Sequence, residues 1–185
     1  MKRTIGWLLV ALVLASASAG CVSRGIKEAV GVARGAKGIY APILPVAQSK
    51  EARPLGDYTR FELGKFTDDM DGKSPASLLG DLRVAFDQTV QGSDLPNRAG
   101  GKTLLVRGRI LHYENADMVG QALGPLEEVV ARVQLVDKDS GKVLGEANCI
   151  GRTTESVNTG VEKKAQGLAK AIVDWIVSRY PVPEE

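Results

Sequence analysis

The chain has 185 residues, 44% of them hydrophobic, and a formal net charge of +2. That length and apolar content allow one ordinary domain with its own core and exclude a wholly disordered chain. Of the 24 basic residues, Lys2 and Arg3 lie in an amino-terminal leader, leaving 22 basic against 22 acidic residues beyond Gly20; this balance argues against bulk binding of nucleic acid, which needs many basic contacts to phosphate.

The leader comes first in the chain. Lys2 and Arg3 are basic, Ile5–Ala15 is apolar, and Ser16 to Gly20 are small. This is the three-part layout of a secretory signal peptide over residues 1–20. The apolar run is shorter than the roughly 20 residues of a membrane-spanning helix. Two processing routes are open. Ala17-Ser18-Ala19 is an A-x-A site whose cleavage releases a soluble exported protein. Ala19-Gly20-Cys21 is similar to the end of a bacterial lipobox, with Ser18 where that pattern favours leucine. On the second route, Cys21 takes a diacylglycerol and becomes the new amino terminus. Each buried CH₂ then contributes roughly 0.8 kcal/mol, so several acyl chains make a durable anchor. An aspartate straight after the cysteine tends to hold bacterial lipoproteins at the inner membrane. Val22 stands there, so the expected location is the periplasmic face of the outer membrane.

Residues 21–55 are punctuated by Gly25, Gly31, Gly35, Gly38, Pro42, Pro45 and Pro54 and suggest a mostly extended, lipidated tether. The apolar cluster Ile39–Leu44 within it allows an alternative, a partner-binding segment.

Residues 56–181 carry the periodicities of an α/β domain, with 182–185 as a tail. Tyr58–Phe66 alternates as a strand, Phe61 and Leu63 against Arg60 and Glu62. Ser74-Pro75 offers a cap and a first-turn proline. Leu78, Leu79, Leu82, Ala85, Phe86 and Val90 then share one helix face, with Val84 on the polar side and Gly92 at the end. Thr103–Tyr113 predicts a second strand, with Leu104, Val106, Gly108 and Ile110 opposite Arg107 and Arg109. Glu127–Val136 predicts a third, with Val129, Ala131, Val133 and Leu135 opposite Arg132 and Gln134. Asp137–Gly141 is a tight turn into a fourth strand, Lys142–Ile150. Its register groups Cys149 with Val143 and Ala147 on a core face, opposite Glu146 and Asn148. With Cys21 acylated, Cys149 is either such a small buried side chain or one half of a dimer disulfide; the register favours the core. Thr159-Gly160-Val161-Glu162 has the form of a capping box. It opens a helix whose apolar face is Val161, Ala165, Leu168, Ile172, Trp175 and Ile176, stopped by Tyr180-Pro181.

The fold expected is α+β, a two-layer sandwich in the order β-α-β-β-β-α. A four-stranded, mostly antiparallel sheet carries both helices on one face.

No constellation of catalytic residues emerges. Gly100-Gly101-Lys102-Thr103 lacks the upstream glycine of a phosphate loop and leads into a strand rather than a helix. His112 is the chain's single histidine and no G-x-S-x-G occurs. Asp68-Asp69 and Glu127-Glu128 are adjacent pairs whose side chains point to opposite sides of an extended strand. Two cysteines and one histidine make no convincing zinc site. No enzyme, metal or cofactor is therefore expected. Arg107, Arg109 and Arg132 form a basic stripe on the polar sheet face, either a solvated surface or a docking surface.

The strand ending in Arg109-Ile110, the loop Gly120–Gly124, the strand-turn-strand Val133–Leu144 and the closing helix carry a resemblance over Thr103–Tyr180. The segment resembles a family of bacterial envelope lipoproteins catalogued as a domain of unknown function. That resemblance implies a fold and no activity. The family's glycine loop often carries arginine, whereas Val119–Gly124 has none. The element order is also similar to small α/β domains of the curli secretion lipoprotein and of the amino-terminal Tol domain, a likeness of fold. The expected function is a lipid-anchored periplasmic interaction or scaffold domain of an envelope assembly or transport complex. It contacts the membrane through Cys21 and an envelope protein through its folded part. The alternative is a periplasmic small-ligand-binding lipoprotein.

Overall fold

Alternating and 3.6-residue patterns become strands and helices in the computed structural model, which describes residues 36–44, 55–96, 98–114, 127–153 and 160–180. In chain order the elements are β1 (Lys37–Leu44), β2 (Tyr58–Asp68), α1 (Leu78–Gln91), β3 (Lys102–Tyr113), β4 (Glu127–Asp137), β5 (Val143–Thr153) and α2 (Val161–Val177). The strands lie in one sheet in the order β1-β5-β4-β3-β2. β2 and β3 run parallel, joined through α1, and every other neighbouring pair is antiparallel.

The α+β class holds, but the sheet has five strands rather than the expected four. The additional strand, β1, lies inside the stretch expected to be a tether. It pairs with β5 from Lys37 opposite Arg152 to Leu44 opposite Glu146. Its glycine has a packing role. A Cβ on Gly38 would lie 2.2 Å from the backbone nitrogen of Ala171, and one on Gly151 would lie 2.4 Å from that of Leu168. Gly167 on α2 completes the contact, since a Cβ there would lie 2.8 Å from the carbonyl oxygen of Lys37. The backbone of α2 therefore rests directly on β1 and β5, at a separation that any side chain would prevent.

Both helices and the inner face of the sheet share one core. Leu104, Val106 and Ile110 of β3, Val129, Ala131, Val133 and Leu135 of β4, and Ala147 and Cys149 of β5 are buried in it. From α1 come Leu78, Leu82, Ala85, Phe86 and Val90; Val84 stays exposed, as its position opposite the stripe requires. Each such Leu or Phe contributes roughly 1.5–3 kcal/mol by leaving water. The Ser74 hydroxyl does not cap α1. It donates to Asp68 Oδ2 at 2.6 Å, and the helix begins at Leu78 after Ser77.

α2 is buried more widely than a single stripe. Lys164, Gly167, Ala169, Ala171 and Val173 join Ala165, Leu168, Ile172, Trp175 and Ile176, because sheet, β1 and α1 enclose it from three sides. Lys164 places its ammonium 4.1 Å from the centre of the Tyr113 ring and donates to the Glu114 carbonyl oxygen. The expected capping box rests on Thr159, which lies outside the described residues. Gly160 holds the cap position, and Glu162 accepts from Gln166 Nε2 at 3.1 Å. The glycine loop Gly120–Gly124 and Pro181 also lie outside the described residues.

Candidate functional site

With both helices on the inner face, the outward positions of β3, β4 and β5 form an open surface, and strand register arranges them in rows. One row runs Arg107, Gln134, Glu146; the next runs Arg109, Arg132, Asn148. A third holds Val130 and Ile150 and continues onto Ile39 of β1. The period-two pattern that buries Val133, Ala147 and Ile110 is what sends these side chains outward.

β2 adds a further cation through an irregularity. Leu63 pairs with Val106 and Phe66 with Gly108, so Gly64 and Lys65 both stand opposite Arg107. Regular alternation would turn Lys65 toward the core beneath Leu63. The extra residue lets Phe66 take the inward position and leaves Lys65 exposed.

The result is a groove of about 370 Å³ lined by Lys65, Thr67, Arg107, Arg109, Arg132 and Glu146, among others. Arg109 and Arg132 stand directly opposite each other, a like-charge pairing that is unfavourable unless anions intervene. Asp69 Oδ2 accepts from Arg109 Nη1 at 3.1 Å. Arg132 Nε donates to Asn148 Oδ1 at 3.3 Å and lies 3.7 Å from Glu146 Oε1. Glu146 also accepts from Gln134 Nε2 at 2.6 Å, and Gln134 Oε1 accepts from Arg107 Nε at 3.0 Å. Arg107 is thus oriented by a neutral amide. The groove lining contains four basic side chains and one acidic one.

The stripe expected from sequence, Arg107, Arg109 and Arg132, is therefore assembled in one place. The contribution of Lys65 was not expected from alternation, although Gly64 inside a strand is the signal that marks such bulges. The apolar row was missed because Ile39 belongs to the unexpected β1.

The other candidates take different positions. Cys21 lies outside the described residues. Cys149 is fully buried, and burial pushes its thiol up to about 12, as befits a core position. His112 is half exposed at the end of β3, with Nε2 4.0 Å from Glu114 Oε2. Asp68 serves the loop before α1, its carboxyl held below the ordinary range by hydrogen bonds from the Ser74 hydroxyl and the Met70 amide. Lys102, the first residue of β3 and part of Gly100-Gly101-Lys102-Thr103, lies 3.9 Å from Asp137 and over the Tyr58 ring. Gly101 beside it is pressed against Thr59. Among the described residues no group of three or more His, Cys, Asp or Glu could hold a metal ion, and no helix is long and apolar enough to cross a membrane.

No protein-family model and no curated protein matches the chain. Similar solved structures include a PelC point variant from Paraburkholderia phytofirmans, a dodecamer. It is 12% identical, with a TM-score of 0.49 over 76% of this chain and 96% of that one. A second PelC dodecamer from that organism is 11% identical, with a TM-score of 0.47 over the same shares. A Xanthomonas campestris protein of family DUF330, a domain of unknown function, is 14% identical, with a TM-score of 0.46 over 76% of this chain and 95% of that one.

Proposed function

We propose that this chain is a lipid-anchored periplasmic interaction domain of a bacterial envelope assembly or transport complex. Diacylglycerol on Cys21 holds it at the periplasmic face of the outer membrane, and the open face of the sheet meets a partner protein. The basic-apolar-small leader ending in Ala19-Gly20-Cys21, with Val22 next, supports the anchor. The observation that carries the docking role is the convergence of Lys65, Arg107, Arg109 and Arg132 around one groove on the face the helices leave free. The groove is open and lined mainly by charged and polar residues, whereas small-molecule sites enclose most of their ligand. A protein surface is the better fit.

Cross-linking on intact membranes, followed by capture of the wild type and of an Arg107→Glu/Arg109→Glu/Arg132→Glu variant, tests this role. The wild type should retain one reproducible envelope partner that the variant loses. Absence of any reproducible partner with the wild type contradicts it.

A further inference from the structure

Taking the docking role as its premise, we infer that the open face binds an extended segment of a partner protein that carries two acidic residues, two positions apart, followed two positions later by an aliphatic one. The pattern is set by β3. Along its outward side lie Arg107, Arg109 and then Leu111, which the irregularity between Ile110 and His112 leaves without a partner residue on β4 and exposed. Residues two apart on any extended chain are about 6.6–6.8 Å apart. A segment lying along β3 thus presents one carboxylate to each guanidinium in turn and an aliphatic side chain to Leu111.

The electrostatics favour carboxylates at the first two positions. Arg107 commits only Nε, to a neutral acceptor, and Lys65 makes no ion pair among the described residues. Arg109 faces Arg132 directly and holds one ion pair, to Asp69 at 3.1 Å, so a further carboxylate between the two guanidiniums relieves the remaining repulsion and forms charge-assisted hydrogen bonds. The third position is apolar for an independent reason. Leu111 is next to His112, which stands opposite Val130 at the head of the row that continues to Ile150 and Ile39, and Ile39 is 44% exposed. Contiguous apolar side chains left on a surface mark an interaction site.

A flat anionic membrane fits less well. Glu146 lies in the groove and Glu128 flanks the apolar row, paired with Arg152 at 3.0 Å. Headgroups would meet these acids as well as the arginines, whereas a peptide places its carboxylates selectively. A small free anion would leave the apolar row uncovered.

The test is selection of short random peptides displayed against the full chain in detergent, with pyrophosphate and phosphatidylglycerol vesicles as separate probes. Enriched peptides should carry the acidic-x-acidic-x-aliphatic pattern. Their affinity should fall about tenfold or more in Arg107→Ala/Arg109→Ala, and again when salt is raised. Leu111→Asp should weaken them without abolishing the salt dependence. These side chains are exposed, and an unchanged circular dichroism spectrum separates lost binding from lost fold. Three results overturn the inference: no enrichment of acidic peptides, affinity unchanged in the arginine variant, or arginine-dependent binding of pyrophosphate or vesicles alone. A cross-linked partner that survives Arg107→Ala/Arg109→Ala would leave the anchored interaction domain standing and place its docking surface elsewhere.

Discussion

Cys149 and Asp137 show how differently single residues disclose their roles. Cys149 falls on the core face by alternation alone, between Ala147 and Gly151, and it is buried there. Its thiol, pushed up to about 12 by burial, should not react with a disulfide reagent in the native protein at mildly alkaline pH and should react at once on unfolding. Rapid native reaction would contradict the core placement. Cys149→Ser should cost about 1–3 kcal/mol in denaturant unfolding, because the hydroxyl finds no ready partner there. Asp137 gives no comparable signal in the sequence, since Tyr58, whose hydroxyl donates to it at 2.8 Å, is 79 residues away. The amide and hydroxyl of Ser140 also donate to it. Hydrogen bonds from Ser140 and Tyr58 hold its carboxyl down at about 2. A carboxyl bound more weakly to protons in the folded state stabilises the fold above its unfolded value of about 3.9 and loses that contribution as pH falls toward the folded one. Stability should therefore drop between about pH 4 and pH 2. Asp137→Asn should flatten that part of the acid unfolding curve, and an unchanged slope would show that the group is not linked to folding.

The elements divide along the same line. β2, β3, β4, β5 and α1 follow from periodicity because each has one face in the core and one outside, and α2 follows from its apolar stripe although it is buried more widely. β1 does not, because its glycine and proline resemble linker punctuation and its outward residues Ile39, Ile43 and Leu44 remain 44%, 48% and 50% exposed. What makes it a strand is long-range: Gly38 lets α2 approach, and β5 supplies the hydrogen-bond partners. Gly38→Ala should cost about 1–3 kcal/mol by overpacking, lowering Tm roughly 2–4 °C for each kcal/mol. Hydrogen exchange should rise first at the β5 amides that face β1, leaving β3 protected. A neutral effect would mean that β1 is not held by this contact. Phe86→Ala, in the centre of the core, should cost about 3–5 kcal/mol, read from the same thermal or denaturant melts. The bulge at Gly64 and Lys65 was equally hidden, since only pairing with β3 reveals that two residues face one.

At the scale of the molecule, the division of labour is between one covered sheet face and one free face. The covered face explains stability: its residues are apolar, small where α2 approaches, and drawn from every strand. The free face gathers four cations and an apolar row, and the chain's balanced charge gave no hint of that local excess. Three of the four, Arg107, Arg109 and Arg132, were legible because they alternate with core residues on regular strands. The proposed function joins this face to an anchor at Cys21, and the anchor is the claim on which location and partner class both depend. Mass spectrometry of the amino-terminal peptide, with membrane fractionation of the wild type beside Cys21→Ala, tests it most directly. The wild type should begin at an acylated Cys21 and sediment with the outer membrane, while the variant is released or left unprocessed. An unacylated wild type cut after Ala19, fractionating like the variant, would contradict it.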